Sequence, residues 1–291
     1  MIAATSARLN WPTILATALA PAIWGTTYIV TTQWLPPDRP ITAATLRVLP
    51  AGLLLVLFTR HLPKASDWGR LLVLSALNIG IFQALLFVAA YRLPGGLAAV
   101  VGALQPLVVL SIAGLVDRRI PPAAATAAGL LGVCGMAVMI LSPRTSYDLL
   151  GFIAAFAGTT CMASATFLAR RWRLDIPQLA LSGWQLLLGG LMLVPVALVS
   201  DPPLPALSSL NVLGYAYLCI VGALLAYTLW FHGVARLQPV AVSSLALLSP
   251  ITAVILGWTL LGQSMTPITM LGLVIVLGSI LTMQWITYRR A

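Results

Sequence analysis

Apolar residues run along this chain in long blocks, separated by short breaks rich in proline, glycine and charge. Blocks of roughly 20 residues match the hydrocarbon thickness of a bilayer when wound as α-helix. Ten of them are legible, near 13–34, 41–59, 69–91, 96–116, 122–141, 149–169, 177–199, 210–235, 240–261 and 267–286. The breaks include Pro36-Pro37-Asp38-Arg39-Pro40, Pro63-Lys64, Pro94-Gly95-Gly96, Pro143-Arg144, Asp201 to Pro205 and Gln238-Pro239. Each proline ends a helix, because it lacks the N–H donor and clashes with the preceding turn. The loops are too short to house a soluble domain. Arg8 and the apolar run after it imitate a signal peptide, with Ala18-Leu19-Ala20 as a cleavage-like site. Pro21 disfavours cleavage and the run continues through Trp34, so it reads as an uncleaved first span. The pattern predicts an all-α integral membrane protein of ten transmembrane helices.

The pattern also repeats. YRLPGGLAAVVGALQP, Tyr91 to Pro106, returns as ARLQPVAVSSLALLSP, Ala235 to Pro250, at a shift of 144 residues. At that shift Arg92, Leu93, Leu104 and Pro106 meet Arg236, Leu237, Leu248 and Pro250, while Gln83 meets Tyr227 and Phe87 meets Phe231. At a shift of 143, Gly129 and Gly135 meet Gly272 and Gly278; at 138, Arg47 meets Gln185 and Gly52-Leu53 meets Gly190-Leu191. Two five-helix units follow, 1–143 and 144–291. Five is odd, so the second enters the membrane from the opposite side. Such inverted repeats are the architecture of alternating-access carriers, with substrate held near the midplane between the halves.

Composition agrees with a bilayer setting. Hydrophobic residues make up 60% of the 291, charged residues 8%, and mean hydropathy is +1.01, too few charges to cover a water-soluble surface. The net charge of +10 forms no stripe or run, so nucleic acid is not an expected partner. It reports topology instead. With both termini in the cytoplasm, the inner side holds Arg8, Arg60, Lys64, Arg70, Arg118, Arg119, Arg170, Arg171, Arg173, Arg236, Arg289 and Arg290, and the outer side only Arg39, Arg92 and Arg144. The positive-inside rule then predicts N-in, C-in. Cys134, Cys161 and Cys219 lie in apolar stretches without metal-type spacing; neither a disulfide, a metal nor a cofactor is expected.

Several motifs carry a family resemblance. Trp24-Gly25-Thr26-Thr27-Tyr28, Arg47, the Arg-Leu-Pro-Gly-Gly…Gln-Pro hairpin, Arg236-Leu237 with Ser249-Pro250, and Gly257-Trp258-Thr259-Leu260-Leu261-Gly262 resemble the EamA family of the drug/metabolite transporter superfamily. The resemblance covers nearly the whole chain. It implies a bacterial inner-membrane exporter of amino acids, metabolites or pigments, built as a basket around a central cavity with the fifth and tenth helices peripheral. The first half resembles pigment and metabolite exporters of the indigoidine-exporter type. Where the family often carries Leu-Gly-Glu after the fourth and ninth helices, this chain has Val116-Asp117-Arg118 and Leu261-Gly262-Gln263, so no role passes to that glutamate here.

Polar groups within spans are costly and therefore candidates for function. Arg47 is the one charge inside a span; it either snorkels outward and caps carbonyls or anchors a substrate carboxylate or phosphate. Gln83 and Tyr227, each with a phenylalanine four residues on, Phe87 and Phe231, form matched helix faces that either line a cavity or pack, and Tyr91 continues the first. Trp24, Tyr28, Trp184 and Gln185 also sit within spans, whereas Trp11, Trp34, Trp68, Trp172 and Trp285 fall at span ends and read as an interfacial belt. Gln105-Pro106 and Ser249-Pro250 put a polar side chain before a mid-helix proline, a hinge or cavity feature or a packed kink; Pro21 has the same potential in the first helix. Glycines 129, 132, 135, 272 and 278 suit close packing within the chain or in a homodimer.

The expected activity is export of a small-molecule substrate through a central cavity. All six aspartates lie in loops or at span ends and there is no glutamate, leaving His232 as the titratable group for proton coupling. Facilitated export is the simplest expectation. A channel is an alternative, although no ring of charges is visible. An intramembrane hydrolase using Ser182 and His232 is disfavoured, because position 180 is alanine and the serine elbow is incomplete.

Overall fold

Among the described residues, every regular element is helical, as a bilayer demands of backbone that must satisfy its own hydrogen bonds. The computed structural model describes residues 11–118, 123–140, 148–234, 236–237, 245–263 and 266–288. In chain order the helices are α1 Trp11–Trp34, α2 Pro40–Thr59, α3 Trp68–Ser75, α4 Phe82–Arg92, α5 Gly95–Ala103, α6 Gln105–Asp117, α7 Ala123–Ile140, α8 Leu149–Trp172, α9 Gln178–Ser200, α10 Ser209–Ala216, α11 Ala226–Val234, α12 Leu248–Leu261 and α13 Pro267–Tyr288. A π-helix, π1, Ala76–Ile81, joins α3 to α4, and a second, π2, Tyr217–Leu225, joins α10 to α11. Seven of the resulting runs are long and apolar enough to cross a membrane. Shorter apolar stretches at Thr126–Gly135, Leu248–Leu261 and Met270–Ser279 fall where the fifth, ninth and tenth spans are expected. The topogenic residues Arg8, Arg119, Arg144, Arg289 and Arg290, and the joint between the expected repeats, lie outside the described residues.

Helix ends follow local chemistry. Pro40 opens α2, and Pro94 and Pro177 precede α5 and α9, where a missing N–H costs nothing. Asp148 caps α8 by accepting from the Gly151 N–H at 2.8 Å, and Ser208 with Asn211 forms a reciprocal capping box on α10. Three helices end on arginines in the left-handed conformation, Arg60, Arg118 and Arg173, with φ of 48°, 51° and 44°. A side chain pays about 1–2 kcal/mol there relative to glycine, partly offset by a cation at a helix C-terminus.

The packing occurs in matched pairs. α2 lies along α9; α2 also meets π2 while α9 meets π1; α1 packs on α11 as α8 packs on α4; and α1 meets α12 as α8 meets α5 and α6. Helices α5 and α12 touch each other, and so do α7 and α13. At the α2–α9 crossing a Cβ on Gly52 would run into the backbone of Leu186 and Leu187, and one on Gly190 would meet Leu49 Cα at 2.8 Å. Gly135 is pressed against Ile275 and the Gly272 carbonyl, whereas a Cβ on Gly129 or Gly278 meets nothing within 4 Å.

Polarity is arranged inside out. Thr17, Thr27, Thr31, Ser75, Gln83 and Gln185 are buried, while large apolar side chains such as Phe58, Leu115, Leu198 and Val199 are exposed, Val199 to 89%. That surface suits lipid rather than water. Ion pairs tie helix ends: Arg92 to Asp148 at 2.7 Å, Arg171 to Asp117 at 2.8 Å, Lys64 to Asp175 at 2.9 Å. The Gly151 N–H and Arg92 hold the Asp148 carboxyl below the usual carboxylate range. Lys64 does the same to Asp175 and is itself raised by it; being solvent-exposed, that pair contributes little to stability.

Candidate substrate site

The centre of the molecule is organised by one carbonyl. In π2 the backbone widens to i→i+5 bonding, which frees carbonyls from the ordinary ladder. Gly222, without a side chain, leaves its own open to approach. Trp24 Nε1 donates to Gly222 O at 3.2 Å from α1, and Arg47 Nη2 donates to it at 3.3 Å from α2. Arg47 is 3% exposed, so it does not snorkel to the surface; its Cζ stands 5.8 Å from the centroid of the Phe87 ring. Its Nε and Nη1 find no hydrogen-bond partner among the described residues.

Around the guanidinium stand Tyr28, Tyr217 and Tyr227. Tyr227 also neighbours the amide of Gln83, which is 1% exposed and whose Oε1 is unpartnered among the described residues. An aromatic wall completes the site: Trp24 lies 5.5 Å from Tyr227 and 5.4 Å from Trp230, and Tyr227 stacks on Phe231 at 5.9 Å with 20° between planes. Tyr217 is fixed by a 2.8 Å hydrogen bond with Thr26 and an edge contact with Trp34. Trp24, Tyr28, Arg47, Gln83, Phe87, Tyr227 and Phe231 are thus brought together. The cluster offers donors, an acceptor and rings, the side-chain types that line small-molecule pockets.

A second, neutral version of the central contact exists. Asn78 in π1 donates to Gln185 Oε1 in α9 at 2.7 Å. Asn78 precedes Gly222 by 144 residues and Arg47 precedes Gln185 by 138, the shifts at which the sequence repeats. Both π-helices end at matched positions, Ile81 and Leu225, again 144 apart.

The family model that matches this chain describes the EamA-like transporter family, over residues 11–141 and 149–285. The chain belongs to the EamA-like transporter family. It is 42% identical to protein PecM of Dickeya dadantii over 268 residues, covering 91% of this chain and 90% of that one. It is 26% identical to the uncharacterized inner membrane transporter YedA of Escherichia coli K12, over 89% of this chain and 86% of that one. A solved crystal structure superposes on 96% of this chain and 99% of its own, with a TM-score of 0.66 and 16% identity, a likeness of fold alone.

Other candidate residues of this EamA protein lie apart from the Arg47 cluster. Tyr91 donates its hydroxyl to Pro36 O at 2.9 Å and closes the end of α4 against the α1–α2 turn. Trp184 stacks edge-on against Trp68 at 5.2 Å and donates to His61 O, which puts it with the helix-end tryptophans rather than the centre. Gln105 donates to Thr166 at 3.1 Å, immediately after the turn at Leu104 that separates α5 from α6. Pro106 follows as the second residue of α6; the matching turn at Leu247 precedes Ser249 and Pro250 in α12. Ser249 uses its backbone, whose carbonyl would lie 2.6 Å from a Cβ at Gly25. Pro21 is buried inside α1. His232 is exposed and shares a 2.6 Å contact between its Nδ1 and Arg236. Ser182 turns its hydroxyl back to Gln178 O, so Ser182 and His232 do not form a nucleophile–base pair. EamA membership makes an enzyme unexpected in any case.

Tyr217, Gly222, Trp230 and Asn78 were not singled out from sequence. Asn78 left a signal: it is a lone amide within an apolar run, at the position matching Gly222. The role of Gly222 left none, because a π-helical register has no mark in hydropathy.

Proposed function

We propose that this protein is a secondary transporter that exports small amphipathic metabolites, amino acids or related compounds, from the cytoplasm by alternating access. Its address is the bacterial inner membrane, which it crosses many times. The reading takes the chain as ten spans, N-in and C-in, in two inverted five-helix repeats, 1–143 and 144–291. The observation that carries it is the matched pair of central contacts, Arg47 with Gly222 and Gln185 with Asn78. Each joins an uninterrupted helix of one half to an interrupted helix of the other. Matched interfaces of this kind let two halves rock about a fixed site, and between them lie unfilled hydrogen-bonding groups on Arg47 and Gln83.

Coupling is facilitated rather than proton-driven. No aspartate lies inside a span and the chain has no glutamate, the residues that usually carry intramembrane protons. Proteoliposomes loaded with amino acids test both statements. Saturable counterflow identifies a carrier; a linear, non-exchanging leak identifies a channel and sinks alternating access. Uphill accumulation driven by an imposed pH gradient, and surviving His232→Gln, would overturn facilitated export.

A further inference from the structure

We infer that the molecule taken by this site is a small organic anion whose carboxylate is held by the free N–H groups of Arg47. The inference rests on the reading of this centre as the transport site, and it names the class of cargo.

Arginine stays charged in proteins and carries five donors. Burying such a group without a counter-charge costs several kcal/mol. Here the guanidinium is 3% exposed and makes one hydrogen bond, to a neutral carbonyl, leaving Nε and Nη1 unpartnered among the described residues. The chain supplies no acid to complete it. It has no glutamate, and its six aspartates are Asp38, Asp67, Asp117, Asp148, Asp175 and Asp201. Three of these are paired with Arg171, Arg92 and Lys64, and Asp201 accepts from the Thr42 N–H. Asp38 lies in the turn before α2, and Asp67 ends the short 3-10 helix Ala65–Asp67 that leads into α3. A counter-charge must therefore come from outside the protein.

The second half sharpens the point. At the matched position Gln185 replaces the arginine and is already satisfied by Asn78. The positive charge is single and one-sided, which suits one monoanion. Gln83 adds an unfilled acceptor, Oε1, calling for an N–H or O–H on the same ligand. The rings of Trp24, Tyr227 and Phe231, in contact with one another beside these groups, are the surface that the apolar body of such a ligand would meet. Together these specify a small aromatic or amphipathic carboxylate with a nearby donor.

Titration calorimetry on the purified full-length protein in detergent tests this with matched pairs: indole-3-acetate against indole-3-acetamide, and benzoate against benzamide. Each acid is expected to bind at least about tenfold more tightly than its amide, the scale of a hydrogen bond to a charged group. Arg47→Gln should erase that preference. Gln83→Glu, nearly isosteric, should also abolish it by supplying an internal counter-charge. Equal affinities within each pair, no binding of either acid, or a preference that survives Arg47→Gln would overturn the inference. Counterflow in proteoliposomes separates the two readings. Arg47-dependent acid binding without counterflow sinks transport and leaves the anion site; counterflow of neutral solutes unaffected by Arg47→Gln does the reverse.

Discussion

Single side chains here answer two demands at once. Gly222 lends one carbonyl to both Trp24 and Arg47, and an added Cβ would make only ordinary contacts, 3.7 Å from Tyr217 O and 4.0 Å from Arg47 Nε. A methyl fits; a longer chain would extend towards the Arg47 guanidinium. Gly222→Ala is expected to keep most ligand affinity, and Gly222→Leu to remove carboxylate binding while circular dichroism remains helical. The arginines that end helices show the opposite compromise. Arg60, Arg118 and Arg173 hold φ values that favour glycine, at positions where the sequence predicts cytoplasmic charge. Arg173→Gly should therefore stabilise the fold by less than about 1 kcal/mol after loss of the helix-end charge, read as a small rise in the thermal unfolding midpoint. A midpoint that falls would show the charge to outweigh the strain.

Elements were legible where hydropathy changes abruptly. Pro94-Gly95-Gly96 marks the entry to α5 and Pro177 that to α9, because proline acts on the backbone next to it whatever surrounds it. The interruptions at π1 and π2 were not legible, since Ala76–Ile81 and Tyr217–Leu225 read as ordinary apolar helix. Their widened turns depend on partners far along the chain. The same holds for Trp184, whose ring turns to Trp68 and the His61 carbonyl rather than to the Arg47 cluster, a direction that only packing sets. Glycines separate similarly by environment rather than sequence. Gly52→Ala and Gly190→Ala should each cost about 1–3 kcal/mol, because backbone stands where the methyl would go. Gly129→Ala and Gly278→Ala, which meet open space, should be neutral or stabilising through helix propensity. Thermal unfolding of the four variants decides it.

At the scale of the whole molecule, the ends are tied by charge and the middle by shape. Asp148 joins α8 to α4 through Arg92 while capping its own helix. Its folded carboxyl titrates below the unfolded one, so its stabilisation is complete at neutral pH and fades as pH falls below about 4. The midpoint difference between wild type and Asp148→Asn should accordingly be largest near pH 7 and shrink towards pH 3; a difference that grows in acid would refute it. The candidate site was partly legible for a related reason. Arg47, Gln83 and Tyr227 stood out as polar residues in apolar runs, and they do meet. Tyr91 shares their helical face but lies two turns from Gln83, where Pro36 offers its carbonyl. The α2–α9 crossing carries one more consequence, for inheritance. Gly52 faces Leu187, and Gly190 faces Leu49. Backbone stands against both glycines, so no trimming of a facing side chain makes room, and a lineage can enlarge 52 or 190 only by moving the two helices apart. Descendants of this gene should thus keep glycine at both 52 and 190, whatever residues come to stand at 187 and 49.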